Sequence, residues 1–174
     1  MFNTSLQLDE QCHAQPRPTA LLTCGSNIMP LSWHMPVSKS PFRYAIAVRE
    51  ENHSHQLLKE NREFALNFLD LSYQHVFETS GGIHGKNVDK FELCGLSSKQ
   101  ALTIGTSLIQ EAYMIYECTL IDIISYGDHD LFIGDVNIIL NKDTKTVEPT
   151  LFLGKGYYDT LTGNPIRMQR SKNE

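Results

Sequence analysis

The sequence lacks the features that mark several large classes of protein. It has no apolar run near the roughly 20 residues that a membrane-spanning helix needs. Its start has neither the basic residues nor the apolar centre of a signal peptide. The four cysteines are scattered and form no Cys-x-x-Cys pair, which disfavours a disulfide framework and a zinc site. We therefore expect a cytoplasmic protein with reduced thiols, no metal and no membrane segment.

Motifs of the commonest nucleotide-binding and hydrolytic sites are also missing. No Gly-x-Gly-x-x-Gly follows a strand-like segment, so a nicotinamide nucleotide would not be held in a Rossmann domain. The glycines at 81–85 and 154–156 lack the order of a Walker loop and are more typical of turns. No Gly-x-Ser-x-Gly elbow marks a serine hydrolase. The net charge of −5 argues against a nucleic-acid partner, but it leaves room for a small anionic ligand.

What the chain does contain is a series of strand-like segments with helices inserted singly. We expect a polar arm at residues 1–15 and one domain at 16–174. The nearly continuous apolar run at 42–48 predicts a strand buried on both faces. The irregular alternation predicts a mainly β fold, an antiparallel barrel with short helical additions. Further strands are expected at 19–24, 63–69, 112–125, 131–140, 151–153 and 157–161, and helices at 53–60, 71–79 and 87–95.

Residues 25–36 are the most informative stretch of the sequence. They contain its only tryptophan, Trp33, together with Pro30 and Pro36. Because proline cannot donate to a β-ladder, a strand that carries these prolines must lie at a sheet edge or bend away from the sheet. An irregular edge with one large aromatic and short polar groups suits a flat aromatic ligand. A core tryptophan beside an ordinary turn is the alternative.

The junction after residue 48 is a candidate anion site. A buried strand runs into Arg49 and then into a helix that Asn52 would cap, with His53 and Ser54 in its first turn. The unpaired N–H groups and positive end of such a helix favour a phosphate, and the guanidinium could bind one with paired hydrogen bonds. A plain capped helix with a surface arginine is equally compatible with the pattern.

Two further positions could carry charge to a ligand. Asp128, His129 and Asp130 place an imidazole between two carboxylates at the turn predicted for 126–130, which would favour the protonated ring and proton transfer. A solvated turn histidine is the alternative. Lys90 precedes an aromatic residue and could be helix surface, or could neutralise a ligand that becomes anionic on reduction.

Five stretches in this order carry a resemblance: Asn27-Ile28-Met29-Pro30-Leu31-Ser32-Trp33-His34-Met35-Pro36, Asn52-His53-Ser54-His55, Phe64-Ala65-Leu66-Asn67-Phe68, Asp89-Lys90-Phe91 and Gly127-Asp128-His129-Asp130-Leu131-Phe132-Ile133-Gly134. Together they strongly resemble the flavin reductase-like family, and within it the flavoredoxin branch, over residues 16–160. The resemblance implies an FMN-binding split barrel, an antiparallel Greek-key barrel that forms a homodimer with FMN near the interface.

The resemblance also implies roles for individual residues. Asn27 and Trp33 would border the isoalloxazine, and Ser54, where relatives commonly have threonine, would hold the phosphate. Lys90 and His129 would reach the flavin and act in catalysis. Tyr158 would cover the site, although the neighbouring tyrosine makes the covering aromatic ambiguous. The whole predicted cofactor-binding set is Asn27, Ile28, Met29, Leu31, Ser32, Trp33, Arg49, His53, Ser54, Lys90, His129 and Tyr158.

The function that follows is an FMN oxidoreductase that passes electrons from NAD(P)H through bound FMN to an acceptor of unknown identity. An FMN electron carrier with no NAD(P)H step of its own is the alternative, because no nicotinamide-recognition motif is visible. The residues alone also leave open a non-redox barrel for another small ligand.

Overall fold

A computed structural model describes residues 15–83, 85–143, 146–161 and 163, so the predicted arm lies almost wholly outside the described residues. The helices are α1 (His53–Asn61), α2 (Gln74–Gly81) and α3 (Lys90–Cys94), with 3₁₀ turns at Leu71–Tyr73 and Gly85–Asn87. The strands are β1 (Arg17–Pro18), β2 (Ala20–Cys24), β3 (Asn27–Leu31), β4 (His34–Lys39), β5 (Phe42–Arg49), β6 (Glu63–Phe68), β7 (Ser98–Lys99), β8 (Leu108–Ile109), β9 (Met114–Tyr126), β10 (His129–Asn141), β11 (Leu151–Gly154) and β12 (Tyr157–Asp159).

Seven strands form one antiparallel sheet in the order β3-β2-β6-β9-β10-β5-β4. Its two edge strands, β3 and β4, are joined by only two residues, Ser32 and Trp33. Because so short a connection cannot cross a flat seven-stranded sheet, the sheet must curl until its edges approach each other. The carbonyl of Trp33 accepts a hydrogen bond of 3.0 Å from the N–H of Ala47 in β5. The predicted mainly β, antiparallel split-barrel fold is confirmed.

The prolines of residues 25–36 lie where their chemistry requires. Pro30 is in β3 and Pro36 is in β4, the two edges of the large sheet. The predicted edge position is therefore confirmed at both ends of the segment. The segment between them, with Trp33, bridges the two edges of the barrel.

Alternate residues of the central strands build two separate cores. In β2 and β6, Leu22 and Phe64 point into the barrel interior, whereas Leu21 and Ala65 pack in a second core with α2 and α3. Strand side chains alternate between the two faces of a sheet, so both faces of these strands are apolar. This double burial fixes the helices against the outside of the barrel.

Strand β5 departs from the prediction that both its faces are buried. Tyr44 and Ile46 pack in the barrel interior, and Ala45 on the other face is fully buried. Ala47 is only partly buried because its side of the strand borders two cavities. The prediction is wrong at this position, and the small residue forms part of a cavity wall.

Strands β9 and β10 form the predicted long hairpin, but the turn is shorter than expected. It consists of Gly127 and Asp128 alone, with Gly127 at φ +61°, a conformation that favours glycine. His129 is therefore the first residue of β10, paired with Tyr126 of β9 and Arg49 of β5. This register places His129 beside the end of β5.

Two further expectations concern the thiols and the membrane. Cys24, Cys94 and Cys118 are buried free thiols, as predicted, and Cys12 lies outside the described residues. Among the described residues, no helix has the length and apolar character required to cross a bilayer.

Candidate functional site

Two adjoining cavities lie along β3 and share Met29 and Asn52. The first, which we call the lysine cavity, has a volume of about 150 Å³. The second, the tryptophan cavity, has a volume of about 300 Å³. The lysine cavity is lined by Asn27, Met29, Asn52, His53, Ser54, Ser80, Gly81, Gly82, Ile83, Gly85 and Lys90. The tryptophan cavity is lined by Met29, Pro30, Leu31, Ser32, Trp33, Ala47, Arg49, Asn52 and His129.

The N-terminus of α1 opens into the lysine cavity. Asn52 occupies the predicted N-cap position in an extended conformation, but its side chain makes no capping hydrogen bond. The first turn contains no acidic residue, and His53 and Ser54 line the cavity. The first N–H groups of a helix have no intrahelical acceptor and carry its positive partial charge. This end of the cavity therefore suits an anion.

Asn27 and Ser54 form the polar wall of the lysine cavity. The side-chain amide of Asn27 donates a 2.8 Å hydrogen bond to Ser54 Oγ. Asn27 Oδ1 is buried and has no hydrogen-bond partner among the described residues. A Cβ added at Gly85 would collide with this oxygen, so glycine permits the close approach. A buried acceptor without a partner is costly, so this wall suits a ligand that carries a hydroxyl or N–H donor in addition to an anionic group.

Lys90 brings a buried cation to the same cavity. Its side chain is 4% exposed, and Nζ donates to the carbonyls of Ile28 at 2.9 Å and Ser80 at 2.7 Å. None of the ion pairs in the described part of the chain includes Lys90. Burial lowers the pKa of Lys90, and an anion is needed to favour its charged form.

The tryptophan cavity has an aromatic wall and a charged rim. The rings of Trp33 and His129 are stacked, with centroids 4.6 Å apart and planes 27° apart. Asp128 holds the rim together, because its carboxylate lies 2.7 Å from His129 Nδ1 and 3.4 Å from Arg49 Nη2. The hydrogen bond from His129 is the main cause that lowers the pKa of Asp128. This wall and rim suit a flat, electron-rich or anionic ring.

Asp130 does not share the environment of His129, so the predicted imidazole between two carboxylates is wrong. Successive strand residues face opposite sides, and Asp130 Oδ2 instead lies 2.8 Å from His55 Nε2 and 3.2 Å from Lys59 Nζ. Hydrogen bonds from Ser125, His55 and then Lys59 lower the pKa of Asp130 to about 2. Glu50 places a third possible metal-ligand atom near His55 and Asp130. The Lys59 ammonium group, however, already supplies a positive charge beside Asp130.

Comparison with known proteins identifies the family to which this chain belongs. A family model described as flavin reductase like domain matches residues 12–161. The chain belongs to the flavin reductase-like family. The match agrees with the resemblance over residues 16–160 and confirms it. An uncharacterized protein of Aeropyrum pernix is 28% identical over 133 residues, which are 71% of this chain and 51% of that protein. This chain thus spans about half the length of that relative.

Three solved structures share the fold with this flavin reductase-like chain. An FMN-binding protein from Thermus thermophilus with bound p-hydroxybenzaldehyde has a TM-score of 0.85 at 22% identity, covering 97% of this chain and 99% of that one. Flavoredoxin of Desulfovibrio vulgaris (Miyazaki F) has a TM-score of 0.85 at 20% identity and 99% and 100% coverage. The NADH:FAD oxidoreductase SgcE6 of Streptomyces globisporus has a TM-score of 0.82 at 22% identity and 94% and 99% coverage. At these identities the likeness establishes the fold.

The structure groups the predicted site residues differently from the prediction. Asn27 and Lys90, expected near a flavin ring, lie with Ser54 in the lysine cavity. Arg49, expected near a phosphate, lines the tryptophan cavity with His129. The other predicted residues that line one or both cavities are Met29, Leu31, Ser32, Trp33 and His53.

Two predicted residues line neither cavity. The side chain of Ile28 packs in the helix-side core, and only its carbonyl reaches Lys90. Tyr158 packs against Phe77 and Phe152, with ring centroids 5.5 and 5.4 Å away. Its assignment as the covering aromatic stays a prediction.

The sequence interpretation missed the glycine-rich wall of the lysine cavity. Gly81, Gly82 and Gly85 lie on this wall together with Ser80 and Ile83. The available signal was two glycines and a third within five residues, just before the Asp-Lys-Phe stretch. These glycines lack the residue order of a phosphate-binding loop, so they would ordinarily be interpreted as a turn.

Proposed function

We propose that this protein is an FMN-dependent oxidoreductase in which the lysine cavity holds the FMN phosphate and the tryptophan cavity holds its ring. The observation that carries the proposal is the buried Lys90 amino group, which has no carboxylate partner in the described chain and lies beside the N-terminus of α1. A buried charge is stable only when paired, and a phosphate supplies the missing anion. The resemblance to FMN-binding and flavoredoxin structures supports the choice of flavin.

The residues of the lysine cavity would hold the phosphate by complementary donors. Ser54 adds its hydroxyl to the free N–H groups of α1, and Lys90 adds a charge-assisted hydrogen bond. Gly85 lets the chain approach Asn27 closely, which keeps the cavity narrow at this end. The donor set therefore fits a phosphate monoester.

The residues of the tryptophan cavity would orient the ring. Trp33 is stacked on His129, and the Arg49 guanidinium at the rim favours a ring with negative charge. When bound, FMN supplies the redox chemistry, taking electrons from a reductant and passing them to an acceptor. In this proposal His129 keeps its predicted role at the flavin ring, whereas Lys90, which was predicted to reach the ring, binds the phosphate instead.

We propose NAD(P)H as the reductant, with a homodimer as the active form. Support for the reductant comes from the fold shared with an NADH:FAD oxidoreductase and from a third cavity of about 430 Å³ next to the tryptophan cavity, whereas the homodimer is proposed on the family resemblance alone. The two cavities share Ser32, Trp33 and Ala47, so a second ligand could lie beside the ring. An electron carrier needs no such space, although the shared fold with flavoredoxin keeps it as the second candidate.

The proposal is tested by the visible spectrum of the purified protein, followed by titration with FMN and anaerobic mixing with NADH or NADPH. We expect a flavin spectrum, with or without added FMN, and rapid loss of its visible absorbance on mixing. Bleaching by dithionite but not by either nicotinamide nucleotide would favour the electron carrier. A protein that stays colourless after FMN is added and excess flavin removed, and that quenches no flavin fluorescence, would overturn both. Sedimentation of the flavin-loaded protein tests the homodimer.

A further inference from the structure

The hydrogen bonds of Lys90 match the number of donors of a neutral amine. An ammonium group has three N–H donors, whereas an uncharged lysine amine has two and a lone pair. In this protein Nζ has two partners, the carbonyls of Ile28 and Ser80. Both carbonyls are therefore satisfied by the uncharged amine, and the third donor appears only when Lys90 is protonated. Because Lys90 lines the lysine cavity, a ligand there can accept from it.

No carboxylate in the described surroundings compensates a charge on Lys90, and only the Ile28 carbonyl and the Ser80 carbonyl at the C-terminal end of α2 stabilise it. No residue of β3 titrates, and Asp89 uses its carboxylate to cap α3 by accepting from the N–H groups of Phe91 and Glu92. Burial raises the pKa of the nearby Cys94 thiol, which is therefore neutral at ordinary pH. The titratable groups on the elements around Lys90 are His53, His55, Lys59 and Glu60 of α1, His75 and Glu78 of α2, Lys86 of the second 3₁₀ turn, Asp89, which caps α3, and Glu92 and Cys94 of α3. None of them makes an ion pair with Lys90 within the described residues.

We propose that binding of a phosphate monoester in the lysine cavity is coupled to uptake of one proton from solvent at Lys90 Nζ. The incoming dianion accepts the new third N–H, so the ligand and the proton stabilise each other. The lowering of the Lys90 pKa by burial points in the same direction. The inference rests on the proposed function, because it takes the phosphate of FMN as the anion in this cavity.

The coupling fixes the sign of a pH effect on affinity. As the pH rises through the pKa of Lys90 in the ligand-free protein, a growing fraction of the protein must gain a proton to bind. We therefore expect the affinity for FMN to fall with rising pH, by up to tenfold per pH unit, while the affinity for riboflavin does not. Riboflavin shares the ring but has no phosphate. The phosphate group itself loses its second proton near pH 6, so it contributes no proton above about pH 8.

The test is isothermal titration calorimetry of the flavin-free protein with FMN, in pairs of buffers with different ionisation enthalpies, between about pH 8 and the ordinary lysine pKa of 10.5. The slope of the binding enthalpy against the ionisation enthalpy gives the number of protons taken up. We expect this number to rise with pH toward one for FMN and to stay near zero for riboflavin. Lys90→Arg is the matched variant, because a guanidinium is always protonated, and it should bind FMN without proton uptake.

The outcomes separate the inference from the proposed function. FMN binding by the wild-type protein with no proton uptake overturns the inference alone. Absence of FMN binding in fluorescence and calorimetry overturns the proposed function and the inference with it. If Lys90→Arg fails to fold, the ratio of FMN to riboflavin dissociation constants in the wild-type protein decides. A ratio that does not change between about pH 8 and 10.5 contradicts the coupling.

Discussion

The lysine and tryptophan cavities adjoin each other but are built in opposite ways. The polar groups of the lysine cavity are buried and fixed, with Ser54 2% and Lys90 4% exposed. The charges of the tryptophan cavity stand at its rim, where the Arg49 and Asp128 side chains are 54% and 73% exposed. Buried polar groups fix the position of a ligand strongly, whereas exposed pairs contribute little and can move. In the proposed function the lysine cavity therefore anchors the phosphate, and the tryptophan cavity holds the ring less tightly and leaves it open to a second reactant.

This difference has a consequence for mutagenesis. Substitutions in the lysine cavity should change affinity for the phosphate and spare the ring, whereas those in the tryptophan cavity should affect FMN and riboflavin alike. The ratio of FMN to riboflavin dissociation constants reports which cavity a substitution has altered. The two ligands thus give each variant its own internal control.

The largest effect is expected from Lys90→Met, which removes the buried cation. A charge-assisted hydrogen bond of this kind contributes about 1.5–3 kcal/mol, so the FMN dissociation constant should rise about 10- to 100-fold. Riboflavin binding should stay within about twofold. Flavin fluorescence titration measures both. Lys86→Met is the matched control, because it removes an exposed positive charge from the neighbouring 3₁₀ turn. Equal losses for FMN and riboflavin would mean that Lys90 supports the ring or the fold.

A smaller effect on the same cavity is expected from Gly85→Ala. The new Cβ would collide with Asn27 Oδ1 and displace the side chain that bonds to Ser54. We expect FMN affinity to fall about tenfold, the cost of one disturbed buried hydrogen-bond pair. Gly82→Ala is the control, because its Cβ would make only an ordinary contact of 3.5 Å with the Glu78 carbonyl. Equal losses of FMN affinity in both variants would show that the added methyl groups act by filling the cavity and not by displacing Asn27.

The sequence predicts the parts of this comparison that depend on local chemistry. Pro30 and Pro36 lie on sheet edges because the missing N–H of proline acts at its own position, whatever the fold around it. The start of α1 after Asn52 is equally local. By contrast, Asn27 meets Ser54, and Ile28 meets Lys90, 62 residues away, only after β3, α1 and α3 have packed together.

The wrong prediction for Asp130 has a similar cause. A turn of five residues would leave both carboxylates beside His129, but the observed turn ends at Asp128. Once His129 belongs to β10, strand alternation sends the next side chain to the opposite face. A shift of two residues in the end of the turn thus decided which histidine the Asp130 carboxylate contacts. Boundary positions are set by hairpin register, which composition does not specify.

In the tryptophan cavity, Trp33→Leu should weaken FMN and riboflavin binding together. The substitution removes the ring that stacks on His129, and an aromatic pair contributes about 0.5–1.5 kcal/mol beyond its buried area. We therefore expect both dissociation constants to rise about three- to tenfold. Trp33→Phe keeps an aromatic ring and should recover most of the affinity. A loss confined to FMN would place the phosphate, and not the ring, in this cavity.

The smallest effect is expected from Asp128→Asn, which loosens the rim without removing Arg49 or His129. Because Arg49 and Asp128 are exposed, we expect both dissociation constants to rise by no more than about threefold. The effect should shrink further in high salt, since exposed charges are screened.

The effect of Asp128→Asn on the dissociation constants should also depend on pH. The pKa of Asp128 is lowered, first by its hydrogen bond with His129, so the wild-type carboxylate is charged throughout the neutral range. The difference in dissociation constants between variant and wild type should therefore persist at pH values above the usual pKa of aspartate. It should vanish only as the pH falls through the lowered pKa of Asp128.

Asp122→Asn is the matched control for this variant, since it neutralises another exposed carboxylate on the same hairpin, in β9. It should change neither dissociation constant. The single tryptophan gives a second readout, because freeing His129 from Asp128 should alter the fluorescence of Trp33 before any flavin is added. An Asp128→Asn effect as large as that of Lys90→Met, and insensitive to salt, would contradict the comparison. The rim would then be a second buried anchor, and the space beside the ring would not be free for a second reactant.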